Sequence, residues 1–481
     1  MSCNADSGLL VIRSHRVVLP EGVRPAAIHI AADRILRVAP HDDAPTYGEV
    51  VDVGDLVVSP GIVDTHVHVN EPGRTGWEGF DTATRAAAAG GITTIVDMPL
   101  NSIPATTNVE GLRAKREAAG GRCHVDVAFW GGVVPGNAGQ LEDLIDAGVC
   151  GFKCFLVPSG VDEFPAVNED DLRRALPILA RRNVPLLVHA ESPDLIHQGG
   201  QTGPSMREGV GAGPRAGPDS YRQYLDTRPP ESEVEAIKLI VRLADEFAVL
   251  THIVHVAAAG AVDELARAQA AGVPITAETC PHYLTFSAEA IPDGATAFKC
   301  APPIREAIHR DALWKGLARG TLGLVATDHS PAPPEMKPPG DFLRAWGGIA
   351  SLELSLAATW TGASARGFEL TDVARWMSLA PAALAGQSDR KGAITPGRDA
   401  DLVIWDPDAS FIVDPCTLQQ RHKLTPYAGM PLRGIVRKTF LRGRLVWESD
   451  DRGIRLQADP TSHGPTSARR ASSPVPSGRL L

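Results

Sequence analysis

Eight short apolar runs recur along the middle of this chain, and helical patterns separate most of them. The runs are GIVDTHVHV, ITTIVDMP, HVDVAFWGGV, GFKCFLV, VPLLVHAE, VLTHIVHVA, PITAETCPHYLTF and LGLVATDHS. Between them lie stretches such as GFDTATRAAAAG, EDDLRRALPILARR, ESEVEAIKLIVRLADEF and GAVDELARAQAAG, which carry helix periodicity. Strands alternating with helices build a parallel sheet, and eight such units close a (β/α)8 barrel. Periodicity alone leaves a doubly wound open sheet as the alternative. In a barrel the chemistry sits at the C-terminal ends of the strands, so those ends hold the candidates.

The two chain ends have a different texture. Residues 7–58 read as short β-branched strands broken by turn residues, and the same pattern returns in GRDADLVIWDPD and GIVRKTFLRGRLVW. Neither end has enough strands to bury a face alone, so the two are expected to pair. The expected division is sandwich strands at 1–57, the barrel at 58–391, returning sandwich strands at 392–450 and a disordered Ser/Pro/Arg-rich tail at 451–481. The Gly/Pro-rich segment 199–220, after the fifth run, is expected to be a long loop on the catalytic face.

Composition excludes several classes. A net charge of -10 without a basic stripe argues against a nucleic-acid partner. No run approaches the ~20 apolar residues of a spanning helix, so no membrane partner is expected. Seven scattered cysteines without a CxxC pair, and an N-terminus without signal-peptide texture, read as reduced thiols in a cytoplasmic protein.

Side chains alternate across a strand, so His66 and His68 share a face of the first run. One buried imidazole is usually satisfied by a backbone carbonyl; two on one face suit a metal ion. In the fourth run Lys153 is embedded among apolar residues. It is either a lysine whose head reaches water at the strand end, or a desolvated amine able to capture carbon dioxide as a carbamate. The fifth run ends in His189. The sixth offers His252 and His255 on opposite faces, of which His255, nearer the strand end, is the site candidate and His252 the structural one. The eighth ends in Asp328 and His329, of which Asp328 is taken to face inward. So many ligand-type residues at strand ends point to a pair of divalent ions. The donor set does not choose among zinc, the first expectation, and cobalt, iron or manganese.

The segments GIVDTHVHVNEPG, GFKCFL, VHAE, the sixth-run His and ATDHSP resemble, in that order, the motifs of the cyclic-amidohydrolase branch of the amidohydrolase superfamily. The branch includes hydantoinases, dihydropyrimidinases, dihydroorotases and allantoinases, and the match runs to about residue 445. The resemblance implies a binuclear centre in a distorted (β/α)8 TIM barrel, with a small β-sandwich formed by both chain ends. By motif, His66 and His68 would ligate one metal and His189 and His255 the other. Lys153, as N6-carboxylysine, would bridge them, and Asp328 would be both ligand and proton shuttle. Within the branch, Asn70 stands where dihydroorotases carry an arginine, and Pro158 where hydantoinases and dihydropyrimidinases usually place a tyrosine. HVNEPGRTGWEGF, DMPLNSIPATTN, FKCAPPIRE, TDHSPAPPEMK, AWGGIASLE and HKLTPYAG resemble allantoinase segments. That likeness implies hydrolysis of allantoin to allantoate, substrate contacts from Asn70, Asn101 and the Ala301 backbone, and a homotetramer. A hydantoinase-type enzyme and a non-catalytic scaffold of the same fold are the rival readings.

Overall fold

The computed structural model describes residues 8–43, 45, 47–196, 220–450, 453–455 and 476–481. The chain begins with five strands: β1 (Leu10–Leu19), β2 (Gly22–Ala31), β3 (Arg34–Ala39), β4 (Glu49–Asp52) and β5 (Val57–Pro60). A bulge between Ser14 and Val17 bends β1, so that β4 pairs with its first half and β5 with its second. The far end of the chain supplies β15 (Leu402–Ile412), β16 (Pro431–Leu441), β17 (Arg444–Asp450) and β18 (Gly453–Arg455). Leu402–Trp405 of β15 run antiparallel to Val57–Pro60 of β5, which joins the two ends into one nine-stranded sheet. Its own core includes Ile12, Ile28, Val58, Leu402, Ile404 and Phe440. The expected pairing of the two ends into a sandwich is therefore present.

Between the ends stand β6 (Ile62–Val67), β7 (Ile92–Asp97), β8 (Asp126–Phe129) with its short continuation β9 (Gly131–Gly132), β10 (Phe152–Phe155), β11 (Leu186–His189), β12 (Thr251–Ile253), β13 (Ile275–Thr279) and β14 (Leu324–Val325). All pair in parallel. Each of the eight apolar runs contributes to this wall. The ring closes between the last run and β6 through a parallel bridge from Val67 to His329, with the His68 N–H donating to the His329 carbonyl at 2.8 Å. This is a distorted (β/α)8 barrel rather than an open sheet.

The helices form where the sequence periodicity places them, at Phe80–Ala89, Glu169–Arg182, Pro230–Phe247 and Ala259–Ala270 among others. Glu169–Arg182 shows why. Asn168 caps its first turn and Asp171 reaches back to the Asn168 N–H; three acids follow the cap, and Arg181 and Arg182 close the last turn. Alternation sorts the strand residues. In β10, Phe152 and Cys154 join the core under the helices, whereas Lys153 and Phe155 point into the barrel. The barrel interior below the site is packed by Val96, Ala128, Trp130, Leu187 and Val254.

Of the 199–220 loop, all but Ser220 lies outside the described residues. The tail is not structureless throughout, because residues 476–481 lie along β8: the Val127 N–H donates to the Arg479 carbonyl and the Leu481 N–H to the Val127 carbonyl, both at 2.9 Å. These bonds satisfy backbone groups on the side of β8 away from β7, which composition alone does not reveal.

Candidate active site

His66, on β6, and His68, just past its end, have their Nε2 atoms 3.2 and 3.4 Å from the same Asp328 oxygen, Oδ1. Ligand atoms of these three buried residues lie within 4.8 Å of one another, a spacing that suits a metal ion. His255 packs against both sides of the cluster, its ring 5.4 Å from that of His66 and 4.6 Å from that of His189. Lys153 is fully buried, its ammonium 4.6 Å above the Phe155 ring and without a hydrogen-bond partner among the described residues. Of the two sequence alternatives for Lys153, the solvent-reaching one is excluded by this burial. The six predicted ligand positions thus meet at the C-terminal mouth of the barrel.

Burial sets their protonation. It pushes Lys153 down to about 8 and His68 to about 4, and His255 well below the ordinary imidazole value. His68 and His255 are therefore neutral at pH 7, the state in which an imidazole can ligate a metal. Burial acts upward on Asp328, but the His66 and His68 rings outweigh it and hold the carboxyl well below the usual range. His255 and Asp328 both sit in the left-handed region, with φ of 44° and 46°. Such backbone is costly outside glycine and collects at functional sites.

Carboxylates behind the imidazoles orient them. Glu278 of β13, buried, accepts a hydrogen bond from the His66 Nδ1–H at 2.5 Å and lies 3.1 Å from His252 Nε2, leaving His66 Nε2 to face Asp328. Glu191 lies 2.7 Å from His189 Nε2 and is paired with Arg228. Sequence reading missed both acids. A glutamate inside the buried run ITAET is the same signal that singled out Lys153, since charged side chains are rarely buried unpaired. His252 holds Glu278 rather than entering the site, in keeping with its structural reading.

A cavity of about 1030 Å3 opens above the cluster, lined by His66, His68, His189, His255 and Asp328 together with Asn101, Pro158, Ala301 and Trp346. Asn101 and Ala301 are where a bound molecule would meet them. Asn70 is not: it is fully buried outside the cavity lining, its amide nitrogen 3.4 Å from the Pro331 carbonyl. The strand has ended at Val67, and the Asn70 backbone already belongs to a turn, bonded to Glu78 and Arg74, so the strand alternation that links His66 to His68 does not carry on to residue 70.

A second acidic group, Asp126, Asp399 and Asp401, also has metal-like spacing. Its centre is taken by the Lys391 ammonium, at 2.7, 3.0 and 2.6 Å from the three carboxylates, so it is an ion-pair cluster between barrel and sandwich. No helix among the described residues is long and apolar enough to cross a membrane.

Comparison with known proteins agrees with this geometry. The Amidohydrolase family model matches residues 57–446. An allantoinase of Streptomyces avermitilis is 51% identical over 456 residues, 94% of this chain and 99% of its own. Allantoinases of Arabidopsis thaliana and Saccharomyces cerevisiae are 43% and 45% identical, covering 91% and 82% of this chain and 87% and 84% of theirs. Among solved structures, the L-hydantoinase (dihydropyrimidinase) of Arthrobacter aurescens superposes with a TM-score of 0.85 at 30% identity, covering 94% of this chain and 97% of its own. A barrel closed by eight parallel runs, with its buried imidazoles gathered at one mouth, is thus matched along nearly its whole length, and the chain belongs to the amidohydrolase family, on its allantoinase branch.

Proposed function

We propose that the chain hydrolyses the ring amide of allantoin to give allantoate. The observation that carries this reading is the convergence of His66, His68, His189, His255 and Asp328 on one cavity, with Lys153 buried beside them against Phe155 of its wall, in a chain 51% identical to an allantoinase. The donor set fits a binuclear centre. His66, His68 and Asp328 have metal spacing, and Lys153 Nζ and His255 Nδ1 are buried without hydrogen-bond partners among the described residues. In this reading His66, His68 and Asp328 would hold one ion, His189 and His255 the other, and Lys153, as N6-carboxylysine, would be a ligand they share. The carbamate forms when the neutral amine adds to carbon dioxide and releases a proton, a reaction that burial of the amine favours. Two divalent ions held there, zinc in our reading, would acidify a water and polarise the ring carbonyl.

The chain's own residues do the rest. Asp328 Oδ1 takes the proton of the attacking water and returns it to the leaving ring nitrogen, because an unprotonated amide nitrogen is a poor leaving group. Glu278 and Glu191 keep His66 and His189 in fixed tautomers. Asn101 and the free backbone groups of Ala301 offer donors and acceptors to the ureido and ring amides. Neither the Ala301 N–H nor its carbonyl has a backbone partner among the described residues. Pro158 in the cavity wall leaves no phenol there, which favours allantoin over the simpler rings. The division into a catalytic barrel at 58–391, flanked by sandwich segments at 1–57 and 392–450, the cytoplasmic setting and a homotetrameric assembly belong to the same reading.

The test is ring opening of allantoin, dihydroorotate, dihydrouracil and hydantoin by the purified protein, with metal counted per chain. Preference for allantoin with two metals bound supports the reading. A different preferred ring would move the chain among the hydantoinase-type enzymes, and a protein without metal or turnover would be a scaffold.

A further inference from the structure

The segment Lys299–Ile304 forms the cavity wall at Ala301, and its carbonyls are held by buried side-chain donors, of which Tyr224 also lines the cavity. The Tyr224 hydroxyl donates to the Cys300 carbonyl at 2.6 Å, the Tyr283 hydroxyl to Pro302 at 2.6 Å and the Tyr221 hydroxyl to Ile304 at 2.8 Å. Lys337 Nζ donates to the Lys299 carbonyl at 3.1 Å. In return, Lys299 Nζ donates to the carbonyls of Leu343 and Ala345, at 3.0 and 2.6 Å, in the loop that completes the wall. Ala301 stands in the middle of this run, its own N–H and carbonyl without a backbone partner among the described residues.

The donors come from three separate places. Tyr221 and Tyr224 are three apart on the helix Tyr221–Asp226 and so share a face; Tyr283 lies on the helix Pro281–Thr285 just after β13; Lys337 follows the eighth run. All four side chains are buried. Burial pushes the three phenols upward, so the hydroxyls remain donors across the working pH range. A buried lysine bonded only to carbonyls carries a desolvation cost that an apolar residue would avoid. Packing alone does not call for these groups. Fixing a particular set of peptide groups in space does.

We propose that Tyr224, Tyr283 and Lys337 are positioning residues for ring recognition: they clamp the carbonyls around Ala301 so that its N–H and C=O meet the ring amide preorganised. This rests on the allantoin reading of the cavity. None of the three acts on the reacting atoms, so their loss weakens substrate binding more than the chemical step.

The experiment uses Tyr224→Phe, Tyr283→Phe and the double variant, each removing only a hydroxyl. KM and kcat are measured with allantoin, metal is counted per chain, and hydrogen exchange is followed at the amides of residues 299–301. The expected result for the double variant is a KM raised about tenfold, the factor one lost substrate hydrogen bond corresponds to, with kcat within about threefold. Metal content stays at the wild-type value and exchange at 299–301 is faster. Lys337→Met gives the same split by an independent change. Faster exchange with an unchanged KM, or a fall in kcat with KM unchanged, overturns the proposal. If the wild-type protein opens no allantoin, the substrate reading fails by itself, and unchanged exchange in the double variant overturns the clamp separately.

Discussion

His66 Nδ1 lies 2.5 Å from Glu278 Oε1, although the two residues stand on strands β6 and β13, 212 positions apart. Glu278 in turn lies 3.1 Å from His252 Nε2, and His252 Nδ1 is 2.8 Å from the Thr276 hydroxyl. Burial acts upward on the Glu278 carboxyl, but His66 and His252 overcome it and hold it at about 2. A permanent carboxylate at this point fixes the His66 tautomer and points Nε2 at Asp328.

Removing that carboxylate should therefore loosen the metal site without touching a ligand. Glu278→Ala is expected to lower metal affinity or kcat/KM by about 10–100-fold, the range seen for groups that orient ligating histidines. Metal retained after dialysis against a weak chelator, and activity after metal is added back, check this. Wild-type retention in the variant would reduce Glu278 to a packing role.

Lys153 and Asp328 should respond in opposite ways. Lys153→Ala removes the proposed bridging group and is expected to lose both metal and activity, with partial recovery in a short-chain carboxylic acid buffer that supplies the missing oxygens. Asp328→Asn keeps a ligand oxygen but cannot carry a proton, so metal stays while kcat falls by about 10²–10⁴-fold. Metal analysis beside kcat separates the two roles. Robust turnover by Asp328→Asn would remove it from the proton transfer.

The barrel and the site floor were legible in the sequence because each is written locally. Period-two alternation places His66 and His68 together, and a lysine inside FKCF declares itself by its burial. What escaped depends on contacts across the fold. Glu278 matters through a residue 212 positions away, and Asn70 left the cavity because a turn, not a strand, follows His68. The terminal residues 476–481 carry no apolar pattern; their order comes from the free edge of β8 and from Asp126, whose carboxylate accepts the Arg479 N–H at 2.8 Å.

That same Asp126 belongs to the buried cluster around Lys391. Its carboxylate also pairs with Arg442, which sits at the β16–β17 turn with φ of 51° and donates to the Ser477 carbonyl. Lys391→Met would leave three carboxylates facing one another around an apolar side chain. The expected cost is about 3–5 kcal/mol, as for a broken buried ion pair. Urea unfolding of the variant beside wild type measures it, and a difference below ~1 kcal/mol would mean that Arg442, together with Arg390, which lies 2.8 Å from Asp399, suffices to balance the cluster.

The fourth prediction concerns acid. Burial raises the Glu191 carboxyl, but Arg228 and the His189 ring outweigh it and hold it at about 2, below the ordinary glutamate value. A depressed carboxylate stabilises the fold fully above its unfolded pKa, and that stabilisation is lost as pH falls through the folded one. For Glu191 the window runs from about 4.5 down to about 2. Glu191→Gln, which keeps the hydrogen-bond acceptor but not the charge, should thus be less stable than wild type near pH 6, and the gap should close as pH falls through the window. Glu278 titrates over the same range in both proteins, so the difference between them isolates Glu191. Urea midpoints of the metal-stripped proteins from pH 2 to 7 give the curve. A gap that stays constant with pH would mean that the Arg228 pairing does not hold the carboxyl down, and that Glu191 positions His189 by hydrogen bonding alone.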